Sequence, residues 1–560
     1  MLAQLFEKES PGSLSNFIED ALGYRVVAGG VFTNTTPLWV GDAFGDTVTR
    51  YGLALPSPGA VIGRARWVIK TVALIASNIY RLDRVEALAS RLFGSVGDRA
   101  RASGYRLIVV PEQLCSPREL YLSLDHVRQL IKSLPQEVLT VSDIKCVQSM
   151  IESLRCHGYA MLLEEIGEVE LANFVRSGCD SRFRHQVGRC YHVTKRAVTD
   201  FVRGILKEAR GSELVRRYLI LSTVPRYYLA VHGLIPHLIK ERCGPSIGGR
   251  YPSKCALEVI EKVLYRMQPA PPGCVRIRLK LIGRERRNSN LDRITWSAIY
   301  LGLTLFGIGK ASSRGFGRFV EEGTDYETIL EHLKTLINYV AGNRISVAGE
   351  DTAIYKVDKV MHPCPLPLHL WPGVRVGTES TKLVNRHGRI IKENIPCIHN
   401  KGAPTSSEGV LSAIGHATLK AVWKIVKGKL MKTGKHYHTW VLGLPRASKI
   451  GRHRMGYLLH KTTNNGITTE EGRRASTVII SPIGTGSAII VKTAPINDDL
   501  EHITTRPRPR DYGELYHHGM QQTPVRALMN IAETPTTTQT IKTAHKAIDI
   551  AKEWIEYLLT

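Results

Sequence analysis

Seven residues, Val275-Arg-Ile-Arg-Leu-Lys-Leu281, alternate without a break between aliphatic and basic side chains. Successive side chains of an extended strand point to opposite faces, so Val275, Ile277, Leu279 and Leu281 line one face and Arg276, Arg278 and Lys280 the other. Such a segment predicts a sheet with one buried face and one cationic face. A glycine-rich run follows it, Phe306-Gly-Ile-Gly-Lys-Ala-Ser-Ser-Arg-Gly-Phe-Gly-Arg318. Gly307, Gly309, Gly315 and Gly317 permit positive φ and the close approach of a ligand's backbone. Lys310, Arg314 and Arg318, with Ser313 and Phe316 between the glycines, give the loop the character of an anion cradle. It is not a mononucleotide P-loop, because Lys310 is followed by Ala311. Nor is it a dinucleotide fingerprint, because Gly307-Ile-Gly309 leads to Ser312 where a third glycine is required. The bland alternative is a flexible hairpin with solvated arginines. A basic sheet face leading towards a basic loop favours a polyanion.

Composition points the same way. The 560 residues carry a formal charge of +26, with 43% hydrophobic content. That length predicts two domains with insertions, and that charge predicts a nucleic-acid partner or an anionic membrane surface. No run of about 18 uncharged apolar residues occurs, and no basic segment precedes an apolar one at Met1, so the expectation is a cytoplasmic protein with no membrane partner. The ten cysteines contain no Cys-x-x-Cys pair. Cys179, His185, Cys190 and His192 match no zinc-finger spacing, so reduced, buried thiols are expected, with no metal and no cofactor.

Along the chain, Tyr24 to Thr33 reads as a first strand. Pro56 and Pro58 then hold the backbone extended until a helix begins near Gly59. Arg64, Arg66 and Lys70 lie in its first turns, where they oppose the helix dipole unless an anion docks there. Tyr105 to Val110 is a short strand. From Ser116 to about Leu264 the apolar spacing is helical, which predicts a large helical insertion before the 275–281 strand resumes the first domain. Thr324 and Glu327 match a capping box for a helix carrying Ile329, Leu333, Leu336 and Val340. The pattern breaks near Gly342, and the proline-rich 363–377 stretch marks a domain boundary. Beyond it come a helix from Leu411 to Met431, strands at 473–482 and 488–491, and a terminal helix from Thr543 to Leu559. Residues 276–318 hold ten Lys/Arg against two acids, and 431–480 nine against two. Arg446, Lys449, Arg452, Arg454, Arg473 and Arg474 belong to the second patch. Tyr51, Trp67, Phe306, Phe316, Trp440 and Tyr457 lie among these patches and are candidates for stacking on unpaired bases.

Four of these segments together resemble the RAMP superfamily of CRISPR effector proteins. They are Thr36-Pro-Leu-Trp-Val-Gly41, Pro56-Ser-Pro-Gly-Ala-Val-Ile-Gly-Arg-Ala-Arg-Trp67, the glycine run to Gly317, and Leu442-Gly-Leu-Pro-Arg446 with Arg473-Arg-Ala-Ser476. Within the superfamily the sequence is most similar to the first subunit of the type III-B (Cmr) RNA-targeting complex. The resemblance implies an α+β fold of two tandem ferredoxin-like (RRM-like) domains. These would span 1–341, with the insertion at about 116–264, and 342–560. It also implies a non-catalytic ribonucleoprotein subunit that caps the 3′ end of the guide RNA (crRNA), helps engage single-stranded target RNA and touches other RAMP subunits, the target being cut elsewhere in the complex. The early segment has a single glycine where the family often has two, and the helical block exceeds what a compact member needs. An alternative reading is a metal-independent RNA endonuclease that processes guide precursors. His436 and His438, with Lys432 and Lys435 beside them, would be acid, base and phosphate ligand, and His453 is a further candidate. A DNA-binding role ranks last, because no helix-turn-helix or zinc module is evident.

Overall fold

A computed structural model of the chain describes residues 24–41, 46–49, 52–76, 82–95, 103–284, 289–341, 354–363, 402–419, 476–484, 486–493 and 537–560, with short runs between 375 and 468 and at 513–518 and 522–524. The protein mixes helix and sheet. In chain order the elements that position the site are β1 (Tyr24–Asn34), α1 (Pro58–Ala76) and β2 (Tyr105–Leu114). The helical block follows, with α2 (Val141–Glu165), α3 (Val169–Val187), α4 (His192–Glu208) and α5 (Glu213–Thr223). Then come β3 (Val275–Arg284), α6 (Ser289–Thr304), β4 (Phe319–Glu321) and α7 (Tyr326–Ala341). The last group is β5 (Ile354–Val357), α8 (Ser407–Ala417), β6 (Val478–Ile483), β7 (Ser487–Lys492) and α9 (Thr537–Leu559).

Strands β1 to β4 form one antiparallel sheet in the order β2-β3-β1-β4. The alternation in β3 does what its pattern predicts. Val275, Ile277 and Leu279 are 0% exposed and Leu281 1%, packed under α1 and α6. Arg276 and Arg278 stand on the opposite, open face, where Arg278 lies between Val31 of β1 and Val110 of β2. Helix α1 begins at Pro58, where the missing N–H of proline leaves no further donor unsatisfied.

The chain leaves this sheet after β2 and returns at β3, and what lies between is almost wholly helical. Cys115 and Cys274, at the two ends of that excursion, form a disulfide. Three more disulfides, Cys146–Cys190, Cys156–Cys179 and Cys243–Cys255, lie within it. The expectation of reduced thiols is therefore corrected for eight of the ten cysteines; Cys364 and Cys397 lie outside the described residues. The pairing was invisible because it depends on helix packing, not on sequence spacing.

A second, three-stranded sheet has the order β6-β7-β5. Helices α8 and α9 share its core with Tyr159, Leu163, Leu171 and Val175 of α2 and α3. The helical block is thus seated on the second sheet as well as tethered to the first. Arg217 of α5 makes a two-pronged bond to Glu408 of α8, Nε to Oε2 at 2.8 Å and Nη2 to Oε1 at 3.0 Å, and the Tyr121 hydroxyl also donates to that carboxylate. Glu408 is fully buried, so this pairing fixes α8 against the block.

Two helix boundaries differ from expectation. Asp325, not Thr324, caps α7: its Oδ1 accepts from the Thr328 amide at 2.7 Å, while the Thr324 hydroxyl bonds to Tyr300. Helix α8 starts at Ser407 behind the Ser406 cap and stops at Ala417, with Thr418 as its C-cap. Residues 424–431, expected to continue it, lie outside the described residues.

Candidate nucleic-acid interface

The glycine run folds back on the segment after β1. The Ile308 amide donates to Gly317 O at 2.8 Å, the Gly317 amide to Pro37 O at 3.0 Å and the Lys310 amide to Trp39 O at 2.9 Å. All four glycines have positive φ. A Cβ at Gly317 would lie 1.9 Å from Ile308 O, and one at Gly309 2.6 Å from Trp39 O. The close approach that demands glycine here is therefore made by the protein's own backbone. Ala311, at the turn of the loop, has φ 57° and is the one non-glycine residue with positive φ among the described residues. That conformation costs an alanine about 1–2 kcal/mol.

The loop's arginines point inward. Arg314 Nη2 donates to Leu442 O at 2.6 Å, and its Nη1 reaches Ser476 Oγ at 3.3 Å and Val478 O at 3.4 Å. Arg318 donates to Ser481 Oγ at 2.8 Å, Ser312 O at 2.9 Å and Ile480 O at 3.4 Å. Arg314 is 7% exposed and Arg318 0%. Neither side chain is placed to meet a phosphate, which corrects the contact expected of both; each instead ties the first sheet's loop to β6 of the second sheet. Phe306 and Phe316 are buried too, so they are core residues and not stacking platforms.

Arg64, half-buried on α1, donates to Ser312 Oγ and lies 4.9 Å over the Trp67 ring. Burial brings its pKa down to about 10. Arg318 is pushed down as well, first by burial and then by the Arg64 charge beside it. Among the described residues no carboxylate pairs with either, and Nη1 of Arg318 has no partner. Arg64, half-buried beside a second guanidinium and without a counter-ion, is the member of the pair that gains from an anion. Lys310 is exposed at the mouth, 5.4 Å from the Trp39 ring centre, with Gly309 exposed and Ser313 half-buried beside it. Near the base of the same junction is a cleft of about 480 Å³ lined by Thr33, Thr35, Arg217, Ser407 and Gly484 among others.

The other predicted cations are placed differently. Arg66 and Lys70 both pair with Glu86, and Arg276 and Arg278 both pair with Glu112. Lys280 is half-buried on β3. Arg446 and Lys449 lie on the strand Arg446–Ile450, and His453 and Arg454 on His453–Thr463, which pairs with it; their side chains are not described. Arg452, Arg473, Arg474, His436, His438, Lys432, Lys435 and Tyr51 lie outside the described residues. Ser312 and Ser481, which hold the two central arginines, were not foreseen. Ser312 sat inside the run already singled out; nothing marked Ser481.

What the fold and junction define is a mixed helix-and-sheet protein in which two antiparallel sheets meet at a cationic glycine loop. No family model and no curated protein matches the chain. Among solved structures it is similar to Cmr1 from Pyrococcus furiosus in the apo form, with 12% identity and a TM-score of 0.31 over 87% of this chain and 93% of that one. It is similar also to a chain of the type III-B Cmr-beta complex bound to cognate target RNA and AMPPnP in the presence of ssDNA, with 10% identity and a TM-score of 0.36 over 95% of this chain and 99% of that one. For Cmr-beta bound to cognate target RNA the values are 10% and 0.33, over 93% and 99%. No helix of the described residues is long and apolar enough to cross a membrane.

Proposed function

We propose that the chain is an RNA-binding structural subunit of a type III-B CRISPR effector assembly, built on two ferredoxin-like domains divided between 341 and 342. One observation carries the reading. The four segments that resemble the RAMP superfamily, spread from Thr36 to Ser476, contribute to a single junction. Pro37 and Trp39 bond the glycine loop, Arg64 bonds Ser312 in it, and Arg314 reaches Leu442 and Ser476. Motifs that serve separate folding needs have no reason to meet; motifs that serve one site do. The order of β1 to β4, with α1 and α6 on one face, supports the ferredoxin-like assignment of the first domain, and β5 to β7 with α8 and α9 supports that of the second. Phosphates of the guide RNA would lie across Arg64, Lys310 and the loop mouth, with Arg314 and Arg318 as the clamp beneath. Capping of the guide 3′ end, engagement of target RNA and contact with other RAMP subunits are the roles this reading assigns. Cleavage of the target falls to a partner subunit.

The test is binding of a labelled single-stranded RNA of guide length, without metal, across a salt series. Affinity should fall steeply with salt and the RNA should stay intact. Arg64→Gln with Lys310→Gln should flatten the logarithmic salt slope by about 1.4, the value for two phosphate contacts on a single strand. A folded double variant with an unaltered slope refutes the assignment of the loop mouth. Cleavage that His436→Ala or His438→Ala abolishes replaces the scaffold with a processing nuclease.

A further inference from the structure

Helix α4, in the middle of the helical block, has two opposite faces. Thr194, Ala197, Val198, Phe201, Val202 and Ile205 are all buried against the block. At 100° per residue, Arg196, Arg203 and Lys207 fall on the far side, with Lys195 on the flank and Arg210 just past the helix end, and all five are exposed. The row runs for about 22 Å at 1.5 Å per residue.

What sets this face apart is its excess of cations over interleaved acid, Asp200 being the one acid among them. A solvated helix face is normally stabilised by opposite charges three or four residues apart. Here Arg203 and Lys207 are a like-charged i,i+4 pair, and Lys207 and Arg210 a like-charged i,i+3 pair. Of the acids nearby, Asp200 is 3.8 Å from Arg196 and Glu208 is engaged by His126 at 2.9 Å. Among the described residues, Lys195, Arg203, Lys207 and Arg210 have no carboxylate partner. Of the cations the sequence first suggested, Arg66, Lys70, Arg276 and Arg278 are, by contrast, paired with Glu86 or Glu112, and Arg314 and Arg318 are buried in the junction.

The turn that leads into α4 adds an aromatic. Tyr191 is 64% exposed, and its neighbour Cys190 is tied to α2 by the bond to Cys146. A solvent-facing ring beside a cationic row is a combination that binds a single strand by backbone attraction and base stacking.

We infer that the α4 face is a second RNA-binding surface, gripping the phosphodiester backbone of a strand that extends beyond the junction. An anionic membrane is the poorer partner, because the apolar face of α4 from Thr194 to Ile205 is spent inside the protein, leaving only Val193 and the adjoining Tyr191 exposed at its start. An acidic protein is poorer too, because the row has no apolar centre of the kind that protein interfaces build around. The inference rests on the RNA-binding reading above.

The experiment uses the full chain carrying Lys195→Gln, Arg203→Gln, Lys207→Gln and Arg210→Gln together, with short and long labelled oligouridylates over a salt series. Glutamine is nearly as good a helix former as lysine, and the like-charge pairs disappear, so the thermal midpoint should hold or rise. With the long RNA, the salt slope should flatten by up to about 2.8 and affinity at low salt should drop at least tenfold, while the short RNA is held as before. Equal slopes for variant and unaltered protein on the long RNA, when the Arg64/Lys310 variant does lose affinity, overturn this surface and leave the junction standing. If the unaltered protein binds no RNA, the junction reading falls and this one with it. A variant that keeps its RNA slope but loses a bound acidic protein identifies a protein-docking face and also overturns the proposal.

Discussion

Replacing Arg318 by alanine separates a clamp from a ligand contact. The side chain gives charged hydrogen bonds to Ser481 Oγ, Ser312 O and Ile480 O, at 2.8, 2.9 and 3.4 Å, and is wholly buried. Removing it deprives Ser481 Oγ and Ile480 O of this donor, at about 1–3 kcal/mol each, while Ser312 O keeps the Gly315 amide at 3.1 Å. A cavity the size of most of an arginine adds to the loss. Against this stands relief, because a buried guanidinium with no carboxylate carries a desolvation cost of several kcal/mol. The balance is a net loss of about 3 kcal/mol. Melting entropy for a chain of 560 residues is on the order of 1.2 kcal/mol/K if it unfolds as one unit, so the midpoint should fall by about 2–3 °C. Because Arg318 bridges the two sheets, the variant should also begin to unfold in two steps. Calorimetry with near-ultraviolet dichroism as a second probe reads both effects. Arg318→Lys should recover only part of the loss, since an ammonium lacks the planar fork that reaches three acceptors. An alanine variant with unchanged midpoint and a single transition, but weakened RNA binding, would refute the clamp and return Arg318 to the ligand.

Two further outcomes follow from buried groups. His416 accepts at Nε2 from the Tyr159 hydroxyl at 2.9 Å and donates from Nδ1 to Ser412 O at 2.8 Å, and burial lowers its pKa from 6.5 to about 4. Between those values the unfolded chain binds a proton that the folded chain refuses, so His416 alone lowers stability as pH drops from 6.5 towards 4, by on the order of 3 kcal/mol; denaturant titrations at pH 7 and 5 should show the fall, and His416→Gln should remove one share of it, because buried His232, lowered to about 3, and buried His362 act in the same direction. Cys115→Ser with Cys274→Ser opens a loop of 159 residues, which by chain entropy costs roughly 5 kcal/mol, and thiol titration of the unaltered, unreduced protein should find these two cysteines unreactive even when it is unfolded.

Legibility followed the range of the interaction. The β3 strand was readable because its alternation is local: each residue's face is set by its immediate neighbours, and burial of Val275, Ile277 and Leu279 required only that a core exist. The α1 start was readable for the same reason, since Pro58 acts on its own backbone. Arg318 was misjudged because what decides its role, Ser481 and Ile480, lies more than 160 residues away and has no mark of its own. The cysteines failed likewise: bonds spanning 12 to 159 residues leave no spacing signal. Thr324 shows the narrower limit of a local rule, because the adjacent Asp325 competes for the same cap and its carboxylate wins.

Net charge points to a class of partner but not to a place. A count of lysines and arginines treats Arg276 beside Glu112, Arg318 under Ser481 and Lys207 in open solvent as equal, yet their fields outside the protein differ greatly. The first is largely cancelled by a carboxylate on the neighbouring strand, the second is enclosed, and only the third acts at full strength across a Debye length of about 8 Å. The glycine loop therefore owes its sequence first to the joint between two sheets. Arg64 and Lys310 keep an anion-seeking charge at its mouth because no carboxylate was placed to neutralise Arg64 or its buried neighbour. Among the described residues, unpaired surface charge able to act at long range lies on faces such as α4, where like charges lie a turn apart at some cost to the helix. That division, attraction on the helical block and fixation at the junction, is what the salt slopes of the two sets of variants would separate.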